Sequence, residues 1–101
     1  MSIYVILDIK VHDQEKYREY QRQAPAIIEQ YGGRYLVRGG DIIALGSWQP
    51  ERIVMLEFAT AEQARAMLMS PEYQQVKLIR DQAATSEVIA VEGCHDDFPA
   101  L

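Results

Sequence analysis

The stretch RIVMLEF at residues 52–58 carries the strongest fold signal in the sequence. Apolar side chains fill it from Ile53 onward, and Glu57 is the only charge inside the run. A short continuous apolar run is typical of a strand covered on both faces, because a strand with one solvent-exposed face alternates apolar and polar residues. The stretch therefore predicts an interior strand with a sheet around it.

Two helix-start signals follow this strand. Thr60 and Gln63 form a capping box, in which the threonine accepts a hydrogen bond from one free helix amide and the glutamine reaches back to another. Ser70 followed by Pro71 repeats the signal, since proline suits the first helical position. We therefore predict one helix directly after the capping box and a second helical piece over residues 71–82.

The N-terminal third contains a strand and a helix of its own. The odd positions of residues 3–11 are all apolar, and this period of two indicates a strand. From Asp13, which can cap a first turn, apolar residues recur every three or four positions and indicate a helix that ends at glycines 32–33. Pro25 lies inside this helix and cannot donate to the Gln21 carbonyl, so we expect a bend.

The remaining segments complete the sheet. A short strand at residues 34–38 ends in a turn at residues 39–41, residues 42–45 continue as an irregular strand or arm, and residues 86–92 form the last strand. The order βαββαβ is that of the ferredoxin-like fold, an α+β arrangement whose four-stranded antiparallel sheet carries helices on one face. Because several strands are apolar on both faces, we predict a homodimer in which a second copy covers the other face.

Composition restricts the class of protein. The chain has 101 residues, of which 49% are hydrophobic and 25% charged, and these values predict one globular domain over residues 1–93 with a polar tail over residues 94–101. The net charge of −5 without a basic stripe argues against nucleic acid as a partner. No apolar run approaches the ~20 residues that span a membrane, so we expect no membrane partner. The single cysteine, Cys94, favours the cytoplasm.

Three motifs together resemble a known family: GGRYLVRGG at residues 32–40, WQPERIVMLEF at residues 48–58 and SPEYQQVKLIR at residues 70–80. With the YxxY pattern and Pro25 of the first helix, they make the chain similar to domain of unknown function family 1330, within the dimeric α/β-barrel superfamily, up to Gly93. The resemblance implies the ferredoxin-like fold and dimerisation. It implies no established reaction, because the superfamily also contains cofactor-free monooxygenases, dehalogenating and isomerising enzymes, and haem-handling members.

Several polar side chains should gather where the first two strands end and the third begins. The candidate catalytic residues are Asp8, Tyr17 and Arg38, and the candidate ligand contacts are Trp48, Arg52, Arg80, Gly39 and Gly40. Arginine offers a planar fork to a carboxylate, aromatic rings supply apolar contact, and a carboxylate or phenol can move a proton. The predicted ligand is a small organic anion or carbonyl compound. In the first strand Asp8 lies on the face opposite the apolar odd positions. The sequence leaves open which of the two faces the helices cover.

Each candidate also has a structural interpretation. Asp8 can form an ion pair with Arg52 or Arg38, and the tyrosines of the first helix can be packing residues with satisfied hydroxyls. Trp48 can anchor a loop or a dimer interface, and the glycines at residues 39–40 can form a plain turn.

Two more charged side chains have expected partners. Arg80 is expected to form an ion pair with Glu72 or Glu87, or to interact with the negative end of its helix. Glu57 is expected to pair with Arg34 or with a partner subunit, and the alternative is a catalytic role with a shifted pKa.

Three functions stay open. The first is a cytosolic homodimer that binds a small ligand in one cleft per subunit. The second is a cofactor-independent monooxygenase or isomerase, in which arginine stabilises an enolate-like anion while a carboxylate takes a proton. The third is a structural or interaction dimer without a ligand. The sequence has no phosphate fingerprint and no nucleophile motif, and Cys94, His12 and His95 lack metal spacing, so we predict no cofactor and no tightly bound metal.

Overall fold

Four strands and three helices make up residues 2–94, the part of the chain that this computed structural model describes. In chain order they are β1 (Ile3–Val11), α1 (Gln14–Gln30), β2 (Arg34–Arg38), β3 (Ile53–Phe58), α2 (Ala61–Leu68), α3 (Pro71–Ala83) and β4 (Ala84–Glu92). The sheet order is β2-β3-β1-β4, with antiparallel neighbours throughout. The predicted ferredoxin-like α+β fold is therefore confirmed. Most of the predicted polar tail lies outside the described residues.

Side-chain caps fix where the helices begin. The Asp13, Thr60 and Ser70 side chains each accept a hydrogen bond from the backbone amide three residues later, as predicted. After α1, Gly32 takes the left-handed conformation at φ +84°, which suits glycine. The other predicted hydrogen bond of the capping box, from the Thr60 amide to the Gln63 side chain, is wrong. The Gln63 side chain packs against Gly32 instead.

The helices cover one face of the sheet, and the odd positions of β1 point toward them. The alternate residues of β1 are half-exposed or exposed. Asp8 belongs to the uncovered face, where Ile53 and Glu87 are its neighbours in register. The buried strand residues of the helix-covered face are Ile3, Val5, Leu7, Ile9, Val54, Leu56, Phe58 and Ala84.

No described helix lies over the second face of the sheet, which we call the open face. None of the helices within residues 2–94 is long and apolar enough to cross a membrane. The apolar side chains of the open face are half-exposed or exposed, and they include Tyr4, Ile6, Val37, Ile53, Met55, Ile89 and Val91.

Residues 40–50, which we call the arm, form neither strand nor helix and pass along the open face. A groove of about 540 Å³ lies between the arm and the sheet residues Ile6 and Ile53. The sequence was compatible with an irregular strand or an arm over residues 42–45, and the structure shows an arm.

Candidate functional site

Three of the predicted site residues meet in a cleft between α1 and the helix-covered face of the sheet. Arg52, which immediately precedes β3, donates a hydrogen bond from Nε to the Tyr17 hydroxyl at 3.1 Å, and its guanidinium carbon lies 5.4 Å from the Tyr17 ring centre. Arg38, the last residue of β2, stacks over the Tyr35 ring at 4.5 Å. Because each guanidinium lies near an aromatic face, both are oriented at the cleft.

This helix-side cleft has an open outer part and a filled inner part. The outer part, the vestibule, has a volume of about 270 Å³, close to the lower end for ligand pockets. The inner part is packed by apolar and aromatic side chains, which leave about 10 Å³ free. The vestibule therefore has room for a small molecule, while the inner part admits one only if side chains move. The vestibule is lined by Ile9, Val11, Gln14, Tyr17, Gln21, Glu51 and Arg52.

Pro25 contributes to the site through the helix backbone. Proline has no N–H, so the Gln21 carbonyl four residues earlier lacks its usual partner within α1. Arg38 supplies a donor instead, since its Nη2 lies 3.4 Å from the Gln21 oxygen. The predicted loss of a helix hydrogen bond at Pro25 is thus linked to the position of Arg38, whereas the bend stays a prediction.

The two glycines after β2 have different surroundings. Gly39 has φ +71°, and a Cβ built there would lie 2.1 Å from the Arg52 guanidinium. A Cβ at Gly40 would meet nothing within 4 Å. Gly39 therefore leaves the space that Arg52 occupies, while Gly40 has no such role.

Arg80 lies behind the wall of the cleft, not inside it. Arg52, Tyr17, Tyr20 and Arg80 form a column with successive separations of 5.4, 5.7 and 5.9 Å. Arg80 is only 4% exposed, donates to the Tyr73 hydroxyl at 3.1 Å, and has a buried Nε without a hydrogen-bond partner among the described residues. Its nearest carboxylate is Asp81, at 3.7 Å.

Neither expected carboxylate pairs with Arg80, although Arg80 does lie in the last turn of α3, at the negative end of its helix. Glu72 accepts instead from the Tyr31 hydroxyl at 2.8 Å. Glu87 lies on the open face beside Asp8. Arg80 faces inward because Tyr73, Val76 and Arg80 recur along the buried side of α3. This periodicity was a signal in the sequence that placed Arg80 with the core residues.

Burial raises the pKa of three tyrosines around the cleft. Desolvation raises the pKa of Tyr35 to about 12 and raises the pKa of Tyr20 further. The Tyr73 pKa is also raised by burial, and the Tyr20 and Tyr73 hydroxyls lie 2.7 Å apart. These phenols are therefore neutral at physiological pH. The sequence did not single out Tyr35 or Tyr73; the alternation of β2 and the face of α3 were the available signals.

Asp8 and Trp48 do not join the cleft. Asp8 is on the open face, so the structure separates it from the tyrosine and arginine cluster. Trp48 is on the arm and borders the groove of the open face. The expected Glu57–Arg34 pair is present, with Arg34 Nε donating to Glu57 Oε1 at 2.7 Å.

Arg38 and Arg52 have no carboxylate within ion-pair distance among residues 2–94. The vestibule carboxylate, Glu51, pairs with Lys10 at 3.6 Å on the protein surface. Two guanidiniums beside aromatic rings can hold an anion or polarise a carbonyl oxygen. The same part of the chain contains no group of three His, Cys, Asp or Glu side chains able to hold a metal, and absence of a metal stays a prediction.

The fold defines the chain as a small ferredoxin-like protein, and comparison with known sequences identifies its family. Residues 2–94 match the family described as Domain of unknown function (DUF1330), so the chain belongs to that family. No curated protein matches the sequence significantly.

Solved structures with this fold include proteins of unknown function and an oxygenase. A protein of unknown function from Rhodopseudomonas palustris has a TM-score of 0.74 and 17% identity, over 93% of this chain and 83% of that chain. A dimeric ferredoxin-like protein of unknown function from Jannaschia sp. CCS1 has a TM-score of 0.68 and 11% identity, over 92% and 100%. SnoaB, a cofactor-independent oxygenase from Streptomyces nogalater, has a TM-score of 0.64 and 11% identity, over 97% and 98%. These likenesses show the fold.

Proposed function

We propose that the protein is a cytoplasmic homodimer that binds a small organic anion or carbonyl compound in the helix-side cleft of each subunit. The observation that carries this proposal is the pair Arg38 and Arg52, which border one aromatic-lined cleft without a carboxylate partner among the described residues. A ligand carboxylate would supply that partner. The vestibule limits the ligand to a small molecule.

The surroundings favour an anion over a cation. Arg38 and Arg52 can each offer two N–H groups to a carboxylate, and the buried charge of Arg80 adds positive potential from behind Tyr20. The inner cleft wall is apolar, which strengthens charge interactions and suits a flat hydrophobic ligand body. An overall charge of −5 makes a local positive site a distinct feature of this surface.

The homodimer is proposed because of the open face. Within residues 2–94 its apolar side chains stay half-exposed or exposed, and a second copy covers a sheet face of this kind symmetrically. The Jannaschia protein, which has the same fold, is described as dimeric. We expect sedimentation analysis of the full chain at micromolar concentration to give a mass of about twice the 11.5 kDa monomer.

A thermal-shift screen against small carboxylates and carbonyl compounds tests the ligand proposal. A compound that binds the folded state raises the melting temperature, and Arg38→Ala should remove that increase. Arg22→Ala is the matched control, because Arg22 lies on the outer side of α1 and pairs with Glu19. If no compound shifts the wild type, and Arg38→Ala is merely less stable, the structural-dimer alternative gains and the ligand proposal is rejected.

A second candidate function is a cofactor-independent oxygenase or isomerase. It is supported by the likeness in fold to SnoaB and by the apolar inner cleft, which can exclude water from a reacting anion. The version in which Asp8 takes a proton is not supported, because Asp8 is on the other face. In this protein Arg38 and Arg52 would hold the anion, and the Tyr17 hydroxyl is the nearest proton-bearing group to Arg52.

Incubation of the purified protein with each compound found in the screen tests this second function. Conversion that requires oxygen indicates an oxygenase, and conversion that continues without oxygen indicates an isomerase. Arg38→Ala should abolish either conversion with the fold intact. Conversion that Arg38→Ala retains in full would eliminate the mechanism.

A further inference from the structure

The arm combines unusual exposure with an apolar composition. Its side chains Ile43, Leu45 and Trp48 are 84%, 94% and 64% exposed. Asp41 is the only charged residue among residues 40–50. An exposed loop normally carries polar side chains, so an apolar loop of this length indicates a surface that is covered in the working assembly.

The flat outline of the sheet is small beside a standard dimer interface. The four strands have 9, 5, 6 and 9 residues, and at ~3.3 Å per residue and ~4.8 Å between strands they cover about 460 Å². Stable interfaces bury about 800 Å² on each partner. The arm is the apolar surface that adjoins the sheet, and it would enlarge the contact.

The uncovered part of the open face lies on the far side from the arm. The arm borders Ile6 and Ile53 of its own sheet, whereas Ile89 and Val91 on β4 are 60% and 46% exposed. In a two-fold dimer each copy can present its arm to the β4 side of the other, and both apolar surfaces are then covered in one contact.

We propose that the two arms are exchanged, so that Leu45 and Trp48 of each copy pack against Ile89 and Val91 of the other. This inference rests on the proposed homodimer and adds the contact that stabilises it. The arm starts beside Gly39, where an added Cβ would meet the Arg52 guanidinium. The exchanged arm thereby connects the dimer contact to the chain segment that holds the ligand site.

Mutation of the arm tests this contact. Leu45→Asp should weaken dimerisation at least about 100-fold, because it places a charge in an apolar interface core. Leu78→Asp is the matched control: Leu78 is an exposed leucine, 62% accessible, on α3. It should change the dimer dissociation constant by less than about two-fold. Trp48 is the only tryptophan in the chain, so its emission should shift to the red when the dimer is diluted into monomers.

Cross-linking identifies the partner surface. In a Cys94→Ser background, copies with Leu45→Cys are mixed with copies that carry Ile89→Cys and are then oxidised. A disulfide-linked dimer that forms in the mixture, and not in either copy alone, supports arm exchange. A link that forms only within the Ile89→Cys population, or no link, overturns it.

The outcomes separate the two proposals. A wild type that sediments as a monomer rejects the proposed homodimer and the exchange together. A wild type that is a dimer, with Leu45→Asp equally dimeric, rejects the exchange and leaves the homodimer standing. Ligand binding in the helix-side cleft is measured independently of both.

Discussion

The position of a side chain in the cleft depends on the small residues beside it as well as on the charged ones. Arg52 reaches Tyr17 because Gly39 has no Cβ in its way. In the sequence Gly39 and Gly40 belong to one predicted turn. The structure separates them, because only the first faces a guanidinium.

Gly39→Ala should displace Arg52 and weaken binding of a ligand identified in the thermal-shift screen by at least about ten-fold. It should also lower the free energy of unfolding by about 1–2 kcal/mol, since alanine is disfavoured at positive φ. Gly40→Ala has open space and is the control, expected to bind as the wild type does. Equal binding by all three proteins, measured by calorimetry, would show that Arg52 is not a ligand contact.

The Arg34–Glu57 pair gives the open face a defined acid sensitivity. The Arg34 hydrogen bond holds the pKa of Glu57 below its usual 4.5. Because the folded-state pKa is the lower one, the pair stabilises the fold above about pH 4.5, and this stabilisation is lost as pH falls through the folded-state pKa.

Glu57→Gln should therefore be less stable than the wild type at pH 7, and the difference should shrink toward pH 3. Arg34→Gln should show the same pH dependence, and the double variant should add little to either single change. Urea unfolding at a series of pH values measures all three. A stability difference that stays constant from pH 7 to pH 3 would contradict the assigned pair.

Among the helices, α1 shows how a local defect can serve a site. Pro25 interrupts the hydrogen bonding of α1 at the Gln21 carbonyl, and Arg38 of β2 donates to that oxygen. A backbone acceptor thus helps to orient a cleft guanidinium. The proline destabilises the interior of α1, and the free carbonyl that it leaves holds Arg38 in place.

Pro25→Ala should restore the helix hydrogen bond and raise the melting temperature. It should also loosen Arg38, because two donors then compete for one oxygen, and weaken ligand binding about two- to five-fold. Ala26→Ser, at an exposed neighbouring position, provides a comparison that leaves the carbonyl unchanged. Stability that rises without any change in binding would show that the Arg38 contact is incidental.

Helix starts and the order of elements along the chain could be predicted from sequence because they depend on local signals. The caps at Asp13, Thr60 and Ser70 are such signals, and each formed as expected. The face of Asp8 could not be predicted, because alternation fixes which residues share a face and not which face the helices cover. The Tyr20–Tyr73 contact joins α1 to α3 across 53 positions, a distance that no local pattern reports.

For the whole molecule, the cleft and the open face lie on opposite sides of one thin sheet. The principal extents are 44 × 36 × 16 Å, so the structure is a slab with a ligand site proposed on one side and a partner proposed on the other. Covering the open face leaves the helix-side cleft accessible. Dimerisation and ligand binding are thus compatible in a single assembly.

The most direct test of the ligand site is an NMR titration that follows the arginine Nε–Hε signals with benzoate and with benzamide, its neutral counterpart. We predict that benzoate moves the Arg38 and Arg52 signals in a saturable way, that benzamide does not, and that the Arg22 signal is unaffected by either. The same titration with pyruvate and acetate covers small carboxylates without an aromatic ring. Saturable shifts at Arg38 and Arg52 would support an anion site between α1 and the sheet, and their absence with every carboxylate would contradict it.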